Sequence, residues 1–253
     1  MIDFNNVTKV LGDTTVLDGM DLHIHKGETF VLVGPSGTGK SVTLKHIVSL
    51  MTPDSGTVKV MDEDLSTCSK KKRENVLSNF GYLFQGGALL AWMSVADNVA
   101  LPLVEKTNMK KKDIYEKVYK ALELVGLGDD GDKMPSSISG GMKKRAGLAR
   151  AIIRAPEVVL YDEPTSGLDP VMARTIDHLI VDLSKKLGMT SLVVTHDMHS
   201  ALSIADRIGL LNAGKVIVNL SPEKFIKSEN PEVVKFLEAQ YITKRGSWEK
   251  ERK

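Results

Sequence analysis

The chain has 253 residues, 42% hydrophobic and 26% charged, enough apolar material for one large core or two modest ones and too little net charge for a disordered chain. Thirty-four basic against thirty-two acidic side chains leave a formal charge of +2, so bulk electrostatics gives no reason to expect nucleic acid or a strongly anionic partner. Partners have to be argued from local sites.

In chain order, Met1-Ile2-Asp3-Phe4-Asn5-Asn6 lacks the basic segment and apolar run of a signal peptide, and no later stretch approaches the ~20 apolar residues that span a bilayer. A cytoplasmic chain is expected. The single cysteine, Cys68, has no second thiol to pair with and no Cys or His at metal-ligand spacing, which fits a reducing compartment.

The first strong signal is the apolar strand Thr29 to Val33. It runs into Gly34-Pro35-Ser36-Gly37-Thr38-Gly39-Lys40-Ser41, which opens a helical stretch predicted over Gly39 to Met51. The glycines let successive N–H groups face one concavity, and the helix N-terminus adds the positive end of its dipole, so a polyphosphate can exchange its hydration shell for fixed donors. Lys40 is expected to meet the β- and γ-phosphates and Ser41 to offer a hard oxygen to Mg²⁺, with Thr43 counted among the binding residues.

A strand is predicted at Gly56 to Val60, and a short one at Tyr82-Leu83-Phe84, followed by Gln85. Between Gln85 and Arg154 no strand pattern occurs, whereas Lys110 to Val125 and Gly141 to Arg154 carry helical periodicity, so a helical subdomain is inserted there. The segment from Gly86 to Leu103 is unusually apolar for such an entry. Its Leu89, Trp92, Met93, Val95, Val99 and Leu101 suit either the subdomain's own core or a docking surface.

Val158-Val159-Leu160-Tyr161 reads as a strand buried on both faces and ends in Asp162-Glu163, at the edge where ligands collect on parallel sheets. Asp162 suits Mg²⁺, directly or through water, and Glu163 the orientation or deprotonation of an attacking water. A helix follows from Pro170 to Leu187 and a strand from Thr190 to Thr195. Strands alternating with helices give an α/β fold with a mostly parallel sheet. A last helix is predicted at Pro231 to Gln240, before a polar, basic and mobile tail. Lys70-Lys71-Lys72-Arg73, Lys110-Lys111-Lys112 and Lys244-Arg245 read as solvated faces, with an anionic leaflet as the alternative. His196 and His199 stand three apart on an expected helix without further ligands, so a transition-metal site is rejected.

Ile138-Ser139-Gly140-Gly141-Met142-Lys143-Lys144-Arg145 resembles the signature sequence of ABC ATPases. A Ser hydroxyl and glycine N–H groups at a helix N-terminus form a second anion site, and Ser139 also suits the N-cap. The rest of the ABC set follows in order: Gln85 resembles the Q-loop glutamine, which reaches Mg²⁺ or the attacking water; Ser166-Gly167-Leu168-Asp169 resembles the D-loop; His196 resembles the switch histidine at the γ-phosphate.

The resemblance implies a P-loop NTPase fold with an N-terminal antiparallel part: one ABC ATPase domain over 1–253, with a nucleotide-binding core at 1–86 and 155–220, a helical subdomain at 87–154, and a C-terminal helix and tail at 221–253. It implies Glu163, His196, Gln85 and Lys40 in catalysis, and ATP with Mg²⁺ as ligands. Because the signature of one domain closes over the P-loop of another, it also implies a dimer with a second copy. Leu11 stands where such proteins carry an aromatic residue over adenine, so base preference is expected to weaken.

The wording Phe-Gln-x-Gly-Ala-Leu, a later Asn-Val-Ala-x-Pro-Leu, Thr195-His196-Asp197-Met198 and the stretch from Asn230 to Leu237 resemble the Mla-type ATPases of phospholipid transport. That likeness implies a membrane permease, an MCE-type lipid-binding protein and a small accessory regulator as partners, and a place on the cytoplasmic face of the bacterial inner membrane. An ATPase for another solute shares the same catalytic core. A soluble ABC ATPase working on nucleic acid, ribosomes or cofactor assembly fits less well with the neutral charge, the single P-loop and the apolar segment after Gln85.

Overall fold

The computed structural model describes residues 1–240 and Ile242, so Lys244-Arg245 and the expected mobile tail lie outside the described residues. The chain forms two compact units, Met1–Cys68 with Val194–Lys253, and Ser69–Val193.

The first unit opens with β1 (Ile2–Leu11) and β2 (Thr14–Ile24), followed by β3 (Thr29–Val33), α1 (Lys40–Ile47), β4 (Ser55–Val60) and β5 (Glu63–Asp64). β1 and β2 are an antiparallel hairpin, with Ile2 opposite Ile24 and Leu11 opposite Thr14, and β4 pairs with the other edge of β1. Ile2, Phe4, Met20, Leu22, Ile24, Val58 and Val60 are buried at alternating positions, as a strand with one covered face requires. β3 is buried along its whole length.

α1 ends at Ile47 rather than reaching Met51. Ser49 turns left-handed at φ 55°, and the N–H groups of Leu50 and Met51 both donate back to the Lys45 carbonyl, closing the helix without a glycine.

The second unit contains α2 (Lys70–Ser78), β6 (Phe80–Leu83), α3 (Val95–Lys106), α4 (Lys111–Leu124), α5 (Gly140–Ile152), β7 (Val158–Asp162) and α6 (Pro170–Leu187). β6 and β7 pair in parallel, with Tyr82 opposite Leu160, while Phe84 falls outside the strand. α5 packs against α3, α4, α6 and β6 and is the central helix of this unit. Where it crosses the end of β6 the spacing is too close for any side chain, since a Cβ on Gly147 would lie 2.9 Å from Leu83 Cδ1 and 3.0 Å from the Gly87 carbonyl.

β8 (Thr190–Thr195) straddles the division between the units and is buried throughout. The first unit then resumes with α7 (Met198–Ile204), β9 (Arg207–Asn212), β10 (Lys215–Leu220), α8 (Pro222–Ile226) and α9 (Pro231–Ala239). β9 runs parallel to β3, Val31 facing Ile208, and turns back into β10 through Ala213 and Gly214, both at positive φ. Among the described residues no helix is long and apolar enough to cross a membrane.

Candidate functional site

β3 delivers the chain into the loop at Gly34. Gly37 sits at φ 81° with open space where a side chain would stand, so the loop can turn its amides inward without obstruction. α1 then starts on Gly39 with no side chain capping it and no acidic residue in its first turn. Helices α3, α5, α6, α7 and α9 are each capped by a Ser, Asp or Asn side chain. A helix start with neither a side-chain cap nor a carboxylate in its first turn suits an outside anion.

Lys40 is buried, and its Nζ donates to the carbonyls of Gly34 at 2.8 Å and Pro35 at 2.9 Å, which holds a cation against the loop. Thr38 Oγ1 donates to the same Pro35 carbonyl at 2.9 Å, and Ser36 is exposed. Ser41 is exposed in the first turn of α1, whereas Thr43 is buried with its hydroxyl on the Gly39 carbonyl at 3.1 Å and so braces the helix start. A glycine turn with open space, a held cation and a neighbouring hydroxyl fit a polyphosphate carrying a divalent cation.

Leu11 is exposed at the tip of the β1–β2 hairpin. His196 is exposed and precedes α7, so it does not share a helix with His199 as expected from their spacing. The reason is Asp197, whose Oδ1 accepts from the N–H groups of His199 at 2.9 Å and Ser200 at 3.3 Å and starts the helix after His196. Among the described residues no cluster of His, Cys, Asp and Glu is suited to hold a metal ion by itself.

In the second unit, four buried residues of β7 end in Asp162 and Glu163, both half-buried. The Tyr82 hydroxyl bonds to Asp162, and burial first, then the Asp162 charge, push that phenol above its ordinary range. Glu163 lies left-handed at φ 50°. Its carbonyl accepts from Lys144 Nζ at 2.9 Å, from Ser166 Oγ at 3.0 Å and from the Ser166 N–H at 3.2 Å. Lys144 is 4% exposed, and burial lowers its ammonium to about 8 against the opposing pull of the Glu163 charge.

Ser139 caps α5, its Oγ accepting from Met142 N–H at 3.2 Å, while Ser139 and Gly140 stay exposed and Gly141 is buried. Asp169 caps α6 in the same manner, accepting from Val171 and Met172. Gln85 is exposed just beyond β6. The loop behind it takes left-handed turns at Gly87 and Ala88, and Arg150 of α5 grips both carbonyls at 2.7 Å.

Past the loop, buried Asn98 in the first turn of α3 accepts from the Leu90 N–H and donates to the carbonyls of Leu90, Met93 and Ser94. This fastens a segment in which Trp92 is 75% exposed while Leu89, Leu90 and Met93 are half-buried. Val95 and Val99 are fully buried, so the apolar segment divides into an outward part and a core part.

A family profile described as ABC transporter matches residues 17–166. The chain belongs to the ABC transporter family.

Among its relatives, the probable ribonucleotide transport ATP-binding protein mkl of Mycobacterium tuberculosis is 42% identical over 241 residues, 95% of this chain and 67% of that protein. The intermembrane phospholipid transport system ATP-binding protein MlaF of Haemophilus influenzae is 38% identical over 240 residues, 95% of this chain and 91% of that protein. A dimeric ATP-binding cassette solved in a post-hydrolysis state with ADP and Pi superposes with a TM-score of 0.79 at 29% identity, covering 88% of this chain and 99% of the other. This ABC ATPase therefore binds ATP with Mg²⁺ and couples its hydrolysis to transport.

The phosphate loop, Leu11 and His196 fall in the first unit of the ABC ATPase, and Gln85, Ser139, Asp162 and Glu163 in the second. Three structural partners escaped the sequence reading. Lys144 was legible in principle: Gly141, Lys144 and Leu148 share one helical stripe, and a lysine on a stripe of buried residues calls for a specific partner. Arg150 and Asn98 carry no local signal, because their partners are backbone carbonyls whose positions only the folded loop defines.

Proposed function

We propose that this ABC ATPase powers the movement of phospholipid between bacterial membranes, as one of two copies that clamp Mg·ATP and drive a membrane permease. Lys40 and the backbone N–H groups of the loop 34–41 other than Pro35 take the phosphates, Ser41, Asp162 and Gln85 serve the Mg²⁺ shell, Glu163 acts on the attacking water, and His196 contacts the γ-phosphate. Ser139, Gly140 and Gly141 face the nucleotide of the partner copy, and Leu11 covers the base.

The observation that carries the lipid assignment is the match to MlaF, which runs along 91% of that protein. The exposed Trp92, on a loop fastened from within by Asn98, supports a permease-facing role for the segment after Gln85. An MCE-type lipid-binding protein and a small accessory subunit complete the expected assembly, on the cytoplasmic face of the inner membrane. The relation to mkl supports a second reading, a different transported solute on the same engine.

The test is to isolate the native membrane complex through this chain, reconstitute it in vesicles and follow labelled phospholipid between vesicle populations. ATP-dependent exchange, absent with a Glu163→Gln subunit, is the expected result. Sustained ATP turnover without any phospholipid movement would remove the lipid assignment and leave the transport ATPase.

A further inference from the structure

We propose that Lys144 is a positioning residue for Glu163, its ammonium fixing the backbone that aims the Glu163 carboxylate. The proposal rests on the reading of Glu163 as the group that acts on water.

Glu163 occupies the left-handed region at φ 50°, a conformation disfavoured for any residue with a Cβ and kept only where the surroundings over-determine it. Here the restraint falls on the carbonyl. Ser166 contributes its hydroxyl at 3.0 Å and its N–H at 3.2 Å, and both belong to the same turn and move with it. Lys144 Nζ, at 2.9 Å, is a donor from another element and ties the turn to α5. It also lies 3.3 Å from Ser166 Oγ, so the ammonium, the hydroxyl and the carbonyl close a triangle.

Burying a lysine to 4% exposure is costly unless its charge is answered, and the nearby Glu163 charge supplies part of the answer. Lys143, one position earlier, is half-buried and would serve solvation equally well, so solubility does not account for Lys144. Fixing φ and the carbonyl of Glu163 also fixes the direction of its Cα–Cβ bond, and a small misplacement of a base relative to its water reduces turnover steeply. Lys144 stands five residues after Ser139, ~7.5 Å along the helix axis at 1.5 Å per residue. The carboxylate of one copy is therefore held by the same short stretch of rigid helix that begins at its own signature sequence.

The experiment compares Lys144→Met, Lys144→Arg and Glu163→Gln in the full chain, measuring kcat, KM for ATP, nucleotide affinity and melting temperature. Expected are a fall in kcat of tenfold or more (roughly 1.4 kcal/mol or more) for Lys144→Met with KM and affinity within about twofold, and recovery to within about threefold by Lys144→Arg. If Lys144→Met does not fold, the same readings on Lys144→Gln decide. A folded variant whose kcat stays within about twofold of the parent overturns the proposal, as does a kcat loss that follows melting temperature and is not restored by arginine. Turnover retained by Glu163→Gln would instead overturn the reading of Glu163 on which the proposal rests, whereas an inactive Glu163→Gln beside a fully active Lys144→Met overturns the positioning role alone.

Discussion

Leu11 closes β1 with 41% of its surface exposed and no aromatic ring to lay on a base. Aromatic stacking contributes ~0.5–1.5 kcal/mol beyond area burial, and without it the phosphate and Mg²⁺ contacts dominate nucleotide affinity. GTP is expected to displace a labelled ATP analogue within roughly tenfold of ATP itself, the ratio that ~1.4 kcal/mol represents. A much larger preference for ATP would show that other contacts read the base.

His46, buried in α1 edge-on to Phe4, answers to pH in a different way. Its Nδ1 bonds to the Val42 carbonyl, and burial, the largest influence, lowers the imidazole below its ordinary value near 6.5. The unfolded chain then takes up this proton before the folded one does, so stability rises with pH across the window between the two values. It is fully present above about 6.5 and lost as pH falls from there toward the lowered folded value. Melting temperature of the parent should drop as pH falls below about 6.5, and His46→Gln should melt lower at neutral pH yet change less over the same fall. A shift of ~2–4 °C per kcal/mol at this chain length makes the difference measurable, and parallel profiles would rule out His46 as the titrating group.

The loop behind Gln85 is held by α5 through Arg150, and its proposed permease-facing role is tested at Trp92. Trp92 projects into solvent while Asn98 and Arg150 fasten the backbone on either side, so truncating it should leave the fold intact. Burying one such side chain against a partner contributes ~1.5–3 kcal/mol. Trp92→Ala should bind ATP and melt within about 2 °C of the parent, yet co-purify poorly with the permease. A large melting drop with retained co-purification would return Trp92 to the core.

How much of these elements the sequence predicts depends on where their determinants lie. α6 is legible to its ends because Asp169, Pro170 and Gly188 are local start and stop signals. The stretch from β3 into α1 is legible too, but the end of α1 is not, since it depends on a left-handed serine. α2 buries only Val76 and shows no apolar stripe, and α3 carries Pro102 inside it, so neither produces the expected periodicity. Lys144, Arg150 and Asn98 act on backbone carbonyls, and a carbonyl has no letter in the sequence.

At the scale of the whole molecule, the chain carries one phosphate loop and one signature sequence, and the related cassette bound to ADP and Pi is dimeric. Two copies are expected to close around ATP, and hydrolysis to reopen them. An amide at position 163 keeps the shape and hydrogen bonding of the carboxylate but cannot take a proton, so nucleotide should bind and persist. The direct measurement is the mass of Glu163→Gln by light scattering at saturating Mg·ATP, beside the same protein without nucleotide. Doubling of the mass with ATP, and its loss when ATP is withdrawn, is the predicted result. A protein that binds ATP and remains strictly monomeric would contradict the two-copy site.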